Sequence, residues 1–366
     1  MAVNNLDVNT LRTWLTNNKA LTVLDVRPSS QRIEWYIPGS IHVDIYDRLR
    51  AGDPDALAGV ELDRSIPVVV VCAAGKTSQV AADLLNKSGL EAYSLEGGMK
   101  SWSMAWNSVR VTFENFEVIQ IRRTGKGCLS YIVVSGGKAI VIDASLPTEV
   151  YQHILIENGW QLQAVIDTHV HADHLSRART LVTSSFATLF LPENSNVQFP
   201  FEPLTHDRAI ELGTVKLQAI ATPGHTLENI ALLLDNKVLF SGDTLFTNSI
   251  GRPDLKADET ETRFKTGLLF DSLKKLLQLD AGILVLPGHT NTPVNFDHQV
   301  IGEKLGIIDK QLALVHLPKE KFIETVVAKT PLTPPNYMAI VERNLTGIIN
   351  ETEAVELEAG ANRCAI

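Results

Sequence analysis

Seven candidate metal ligands occupy one kind of place in this chain. His169, His171, Asp173 and His174 follow the apolar run Ala164 to Asp167. His225 lies in Thr222-Pro223-Gly224-His225-Thr226, Asp243 in Ser241-Gly242-Asp243-Thr244, and His289 in Leu286-Pro287-Gly288-His289. Each group comes after a stretch that reads as a β-strand. If those strands are neighbours, their C-terminal loops gather along one edge and all seven side chains can converge there. Imidazole and carboxylate suit borderline or hard divalent ions, so zinc, iron and manganese all fit, and the lack of thiolates in the set argues against a structural zinc. A lone histidine of this kind is commonly just hydrogen-bonded, and Asp243 alone could cap a turn. Seven such residues are poorly explained as scaffold.

The rest of the chain supplies two textures. Up to about residue 108, short helices and strands alternate. Leu6 to Asn17 carries a helical stripe, Leu21 to Val26 and Val68 to Val71 read as buried strands, Thr77 to Ser88 as a helix stopped by Gly89, and Met99 to Trp106 as a final short helix. This pattern implies a small parallel α/β sheet. Beyond Val109, strands follow one another over Phe116–Arg122, Cys128–Val134 and Lys138–Asp143, and later Val215–Ala221, Ala231–Leu234 and Val238–Ser241. Helices at Glu149–Asn158, Thr262–Leu279 and Tyr337–Leu345 would cover a mixed sheet. A length of 366 residues also exceeds what one core usually serves, so two domains are expected, 1–108 and 109–366.

Composition narrows the class. Lys plus Arg is 33 against 42 Asp plus Glu, a net charge of -9, opposite to what a nucleic-acid binder needs. No run approaches the roughly 18 apolar residues that span a bilayer, and Met1 to Thr10 lacks a basic-then-apolar leader, so a cytoplasmic location without membrane contact is expected. The three cysteines, Cys72, Cys128 and Cys364, have no close pair and form no disulfide framework.

Cys72 ends the Val68–Val71 strand, and Ala73-Ala74-Gly75-Lys76-Thr77 leads from it into a helix. Loop N–H groups and the helix dipole can converge on such a sulfur and favour thiolate, while Lys76 places a cation beside it. The alternative is a small buried hydrophobe closing a core strand. On local chemistry the two stand level.

Asp25-Val26-Arg27-Pro28, Ile37-Pro38-Gly39-Ser40-Ile41, the Cys72–Thr77 loop and Leu95-Glu96-Gly97-Gly98-Met99-Lys100-Ser101-Trp102 together resemble a single-domain rhodanese. The resemblance implies a persulfide carried on Cys72, with Ala73, Ala74, Gly75, Lys76 and Thr77 as its cradle and thiosulfate, sulfite or a persulfide as partner. Trp35-Tyr36 stands where relatives usually have Gly-His, and the Lys76-Thr77 tip departs from the commoner arginine, which leaves donor preference open.

The seven-ligand arrangement resembles the metallo-β-lactamase superfamily over about residues 112–295, implying an αββα sandwich. In its hydrolase pattern His169, His171 and His225 hold one metal, Asp173, His174 and His289 a second, and Asp243 bridges two zinc ions, as in glyoxalase II. In the persulfide dioxygenase pattern one Fe(II) is held by His169, His225 and Asp243, leaving His171, Asp173, His174 and His289 around it. Gly127-Cys128-Leu129-Ser130-Tyr131, Gly251-Arg252-Pro253-Asp254-Leu255, Pro334-Pro335-Asn336-Tyr337 and Leu357-Glu358-Ala359-Gly360-Ala361-Asn362-Arg363-Cys364 are similar to the dioxygenases, and a basic C-terminal glutathione domain is not recognisable. Arg252 is the candidate anion contact or else a surface turn residue, Tyr337 a substrate contact, Cys128 a strand-packing residue, and Cys364 a neighbour of the site or a bystander. Asn291 replaces an aromatic residue of mitochondrial-type members, so the thiol carrier, glutathione, coenzyme A or similar, stays open. The two resemblances together imply a bifunctional sulfide-detoxifying enzyme that oxidises a thiol persulfide with O₂ to sulfite and thiol and transfers sulfane sulfur through Cys72. The alternative is a dizinc glyoxalase II-like thioester hydrolase with an appended rhodanese domain. A homodimer is compatible with either.

Overall fold

The computed structural model describes residues 4–255, 257–329, 333, 336–360 and 363–366. Pro334, Pro335, Ala361 and Asn362 of the C-terminal motifs lie outside the described residues.

The first domain is a five-stranded parallel sheet of β1 (Asn4–Leu6), β2 (Thr22–Asp25), β3 (Ile41–His42), β4 (Val68–Val71) and β5 (Ala92–Leu95), in the order β1-β5-β4-β2-β3. The four valines of β4 are fully buried because both faces are covered, as a β-branched run in a parallel sheet requires. Helix Val8–Thr16 starts where the Asp7 carboxylate accepts the Thr10 N–H at 2.9 Å. Strand β1 was not anticipated, since three residues are too few to show a period.

The second domain contains two facing sheets, as the superfamily resemblance implied, where the strand pattern alone suggested a mixed sheet. One has seven strands, β6 (Asn107–Thr112), β7 (Glu117–Arg122), β8 (Leu129–Ser135), β9 (Lys138–Ile142), β10 (Gln161–Ile166), β11 (Thr188–Pro192) and β12 (Glu202–Leu204), ordered β12-β11-β10-β9-β8-β7-β6. The other runs sequentially through β13 (Ala209–Leu212), β14 (Val215–Ala221), β15 (Ile230–Leu234), β16 (Val238–Gly242), β17 (Leu284–Pro287) and β18 (Glu303–Lys304). Val118, Leu129, Val133, Leu217, Leu232 and Phe240 fill the space between them. Outside, Tyr151 and Leu181 cover the first sheet, and Leu269, Leu273 and Phe322 the second. The result is an αββα sandwich. The helix expected from Thr262 spans Glu259–Leu276 instead, because Asp258 caps it by accepting the Glu261 N–H at 2.9 Å.

Sheet direction explains where the ligands go. Strand β15 is antiparallel to both β14 and β16, and β16 is parallel to β17. Hence β14, β16 and β17 point the same way, and the loops bearing His225, Asp243 and His289 leave from one edge. The loop after β10 arrives from the facing sheet.

The C-terminal segment is tied under this edge by a buried charge cluster. Glu358 is sealed from solvent between Arg123 and Arg177, both also fully buried, with Arg177 Nη1 2.7 Å from the carboxylate. Lys126 Nζ donates to the Glu358 carbonyl at 2.8 Å. Burial alone would raise the carboxyl pKa, but these cations hold it below its ordinary value. Glu358→Ala removes the counter-charge of the buried Arg123 guanidinium and leaves Arg177 with Glu351 alone, and is expected to cost about 3–5 kcal/mol, read as a lower urea midpoint at unchanged m-value. An unchanged midpoint would show that the cluster does not hold the segment.

Candidate functional site

Three residues from three strand-end loops close on one point. His169 Nε2 lies 3.8 Å and His225 Nε2 3.5 Å from Asp243 Oδ2, and ligand atoms of all three fall within 4.8 Å of one another. All are buried. The second ring nitrogen of each imidazole is committed. His225 Nδ1 donates to the Arg252 carbonyl at 2.7 Å, which can only accept. Thr168 Oγ1 gives its proton to Asp143 Oδ2 at 2.9 Å, so it accepts from His169 Nδ1 at 3.0 Å. Both Nε2 lone pairs are thereby directed at the same place. Among the described residues neither His169 Nε2 nor Asp243 Oδ2 has a hydrogen-bond partner, a costly state in a buried site unless a cation takes both. The donor set therefore fits a divalent ion.

A second cluster lies beside the first. Cys128 Sγ donates to Asp173 Oδ2 at 3.1 Å, His289 Nε2 is 2.8 Å and His174 Nδ1 3.1 Å from the same oxygen, and the four form one ligand-distance group. His289 links the clusters, since its Nδ1 is 2.6 Å from Asp243 Oδ1. Gly288 permits this, because a Cβ there would fall 2.5 Å from that oxygen. Cys128 therefore faces the ligands and does more than pack a strand. Burial and Asp173 push its thiol up, but hydrogen bonds from His174 and His289 outweigh them and bring it to about 7.

His171 lies between the His169 and His174 rings, and its buried Nδ1 has no hydrogen-bond partner among the described residues. Its Nε2 faces Asp143 Oδ1 at 3.2 Å and Asp167 Oδ1 at 3.8 Å, a third group distinct from the other two. Asp143 and Asp167 were not singled out from the sequence, although both are strand-end carboxylates of the kind that flagged Asp243.

Arg252 does not serve as an anion contact. Its guanidinium is fully buried, bonded to Asp254 at 2.8 and 2.7 Å and to the Arg363 carbonyl at 3.1 Å. Asp254, two residues on, already neutralises it, and its role is to fix His225 and, through its N–H, the Cys364 carbonyl at 2.9 Å. Cys364 is buried within ligand distance of Asp243 and His289. Beside His225 lies a cavity of about 520 Å³ bordered by Ala172, Leu255, Tyr337 and Val341, with Lys265 at its wall. Lys265 gave no signal in the sequence, where it is one helical lysine among several.

In the first domain Cys72 ends β4 with its sulfur accepting from Gly75 N–H at 3.1 Å and lying 3.2 Å from Ser78 Oγ. Ala73 and Ala74 continue the loop, Lys76 is exposed, and Thr77 begins the helix Thr77–Lys87. Burial disfavours the thiolate, yet the Ser78 hydroxyl and loop N–H groups outweigh it, and the pKa lies below the ordinary thiol value.

The fold and the buried His/Asp edge define a metal-binding αββα protein joined to a small parallel-sheet domain. The sequence matches the metallo-beta-lactamase superfamily over residues 123–289 and a rhodanese-like domain over residues 7–105. It is 31% identical over 182 residues to a hydroxyacylglutathione hydrolase of Methylobacillus flagellatus, covering 49% of this chain and 68% of that protein. A hydroxyacylglutathione hydrolase of Francisella tularensis subsp. novicida is 28% identical over 169 residues, 46% of this chain and 64% of its own. The match thus spans about two thirds of those relatives. The crystal structure of ETHE1 from Myxococcus xanthus superposes with a TM-score of 0.54 at 26% identity, over 62% of this chain and 97% of that one. A metallo-beta-lactamase structure from Staphylococcus aureus, at 24% identity, TM-score 0.59, 64% of this chain and 74% of that one, shares the fold. The chain belongs to the metallo-β-lactamase superfamily and carries a rhodanese-like domain at its N-terminal side. Among the described residues no helix is long and apolar enough to cross a membrane.

The Cys72 geometry has a direct check. The pH midpoint for alkylation of Cys72 by iodoacetamide is expected below that of an ordinary thiol, and Ser78→Ala should move it upward. Equal midpoints in the two proteins would remove the hydroxyl from the cause.

Proposed function

We propose that this chain is a bifunctional enzyme of sulfane-sulfur metabolism, an iron-dependent persulfide dioxygenase joined to a sulfurtransferase. The supporting observation is the grouping of His169, His225 and Asp243, two imidazoles and one carboxylate within ligand distance of one another. Two imidazoles and one carboxylate on one side of an ion form the facial arrangement of mononuclear iron oxygenases. The likeness to ETHE1 supports this reading.

Iron bound by these residues would supply the redox chemistry that joins O₂ to the outer sulfur of a persulfide, giving sulfite and thiol with water. The protein's part is positional. Arg252 and Thr168 hold the two imidazoles in the tautomer that offers Nε2. The cavity beside His225 takes the thiol carrier against Leu255, Tyr337 and Val341, and Lys265 meets an anionic group on it. In the other domain the Cys72 thiolate attacks the outer sulfur of thiosulfate. The S–S bond breaks, sulfite leaves with the electron pair, and the sulfur stays on Cys72 as a persulfide anion held by the Gly75 N–H and the Ser78 hydroxyl.

The hydrolases matched by sequence favour a second reading, hydrolysis of a glutathione thioester by two zinc ions. The Asp173, His174 and His289 group would then hold the second ion.

Metal content and oxygen consumption separate the two. The iron-loaded protein is expected to consume O₂ with glutathione persulfide, and Asp243→Ala to lose both iron and uptake. Cys72→Ser should keep uptake and lose sulfur transfer from thiosulfate. About two zinc per chain, thioester hydrolysis and no O₂ uptake would establish the second reading instead.

A further inference from the structure

Trp35 belongs to the first domain, but its indole is spent on the second. The side chain is buried, and its Nε1–H donates to the Thr124 carbonyl at 3.0 Å. Its backbone is held from behind, since Arg27 Nη2 donates to the Trp35 carbonyl at 2.7 Å and is itself paired with the buried Asp25. The far edge of the ring reaches Gly127. A Cβ on Gly127 would fall 2.5 Å from the Thr290 carbonyl oxygen and 3.0 Å from Trp35 Cη2, so three pieces of chain meet there with no room for a side chain. The segment that Trp35 touches is also the one that pairs with the loop bearing His289. Thr290 N–H donates to the Gly127 carbonyl at 2.9 Å, and Leu129 N–H to the Gly288 carbonyl at 2.8 Å. Between these bonds Cys128 and His289 stand opposite each other in an antiparallel bridge. His289 in turn lies 2.6 Å from Asp243 Oδ1 and 2.8 Å from Asp173 Oδ2.

We propose that Trp35 is a positioning residue of the metal centre: through the Thr124–Leu129 segment the first domain fixes His289, and with it the Asp243 carboxylate. The inference rests on the second domain's metal site and is independent of the choice between iron and zinc. Gly125, Gly127 and Gly288 leave this bridge short of side chains to set its register, and the indole supplies a fixed wall where they supply none. A shift of the segment would carry His289 with it and turn Asp243 Oδ2 away from His169 and His225. Groups that orient a metal ligand from behind are commonly worth about 10–100-fold in metal affinity, and Trp35 acts one step further out, so the low end of that range applies. Two ion pairs also cross the domain boundary, Lys100 with Glu356 and Arg363 with Glu34, the latter at 3.4 Å. Both bear on the C-terminal segment rather than on the bridge, which makes them a built-in comparison.

The test uses the full-length chain loaded with Fe(II) under argon. Affinity is read by competition with a chelator, and site geometry by electron paramagnetic resonance with nitric oxide as the probe. Trp35→Ala is expected to lower Fe(II) affinity about tenfold and to change the rhombicity of the signal. Trp35→Phe, which keeps a ring but gives up the Thr124 bond, should fall between it and wild type. Glu356→Gln cuts a contact between the same two domains and should leave both readouts at wild type. If Trp35→Ala does not fold, Trp35→Phe decides on the same two readouts. A tryptophan variant with a lowered thermal midpoint but wild-type affinity and signal shows the indole to be packing alone and overturns the proposal. An equal loss of affinity in Glu356→Gln overturns it as well, because any loosening of the boundary would then suffice. A wild type that holds no Fe(II) refutes the reading of the metal centre itself.

Discussion

A carboxylate sealed from water, Asp243, is the point on which the arrangement depends. Its Oδ1 is spent on His289, and its Oδ2 faces two imidazole nitrogens with no hydrogen bond of its own among the described residues. A buried negative charge in that state is stable only if a cation balances it. The rest of the second domain can be seen as what that requirement needs. The parallel pairing of β16 and β17 sets Asp243 and His289 side by side, the missing side chain of Gly288 lets them touch, and the carbonyl of a buried arginine turns His225 toward the same point.

The same logic of compensated buried charge joins the C-terminal segment to the site. Glu358 between Arg123 and Arg177 anchors one end. The Gly251–Ala365 bridge and the Arg252–Cys364 bond anchor the other, bringing Cys364 to the metal ligands. Ala359 and Gly360 then border the Cys72 loop. The rhodanese-like domain is therefore packed against the second domain rather than tethered to it, and its Cys72 loop borders one cavity with the C-terminal segment.

Much of this was legible in the chain before any coordinates. Strand-end position flagged His169, His225, Asp243 and His289, the last three each directly after a glycine, and β4 with its loop flagged Cys72. What stayed hidden depends on distant pairing. The two facing sheets were implied by the superfamily resemblance and not by periodicity, because the chain passes from one sheet to the other between β12 and β13, a step that the pattern along the chain does not encode. Arg252 looked like an anion contact until Asp254 was seen to hold both arms of its guanidinium. Cys128 looked like strand packing because nothing local reveals that β8 begins opposite His289. Lys265 acquires meaning only from the cavity it borders.

The most direct measurement is anomalous diffraction at the iron edge from crystals of the iron-loaded protein. The expected result is one peak, within about 2.0–2.2 Å of His169 Nε2, His225 Nε2 and Asp243 Oδ2, with His171 still on Asp143 and Asp167. A second peak among Asp173, His174 and His289, or His171 swung into the coordination sphere, would contradict it.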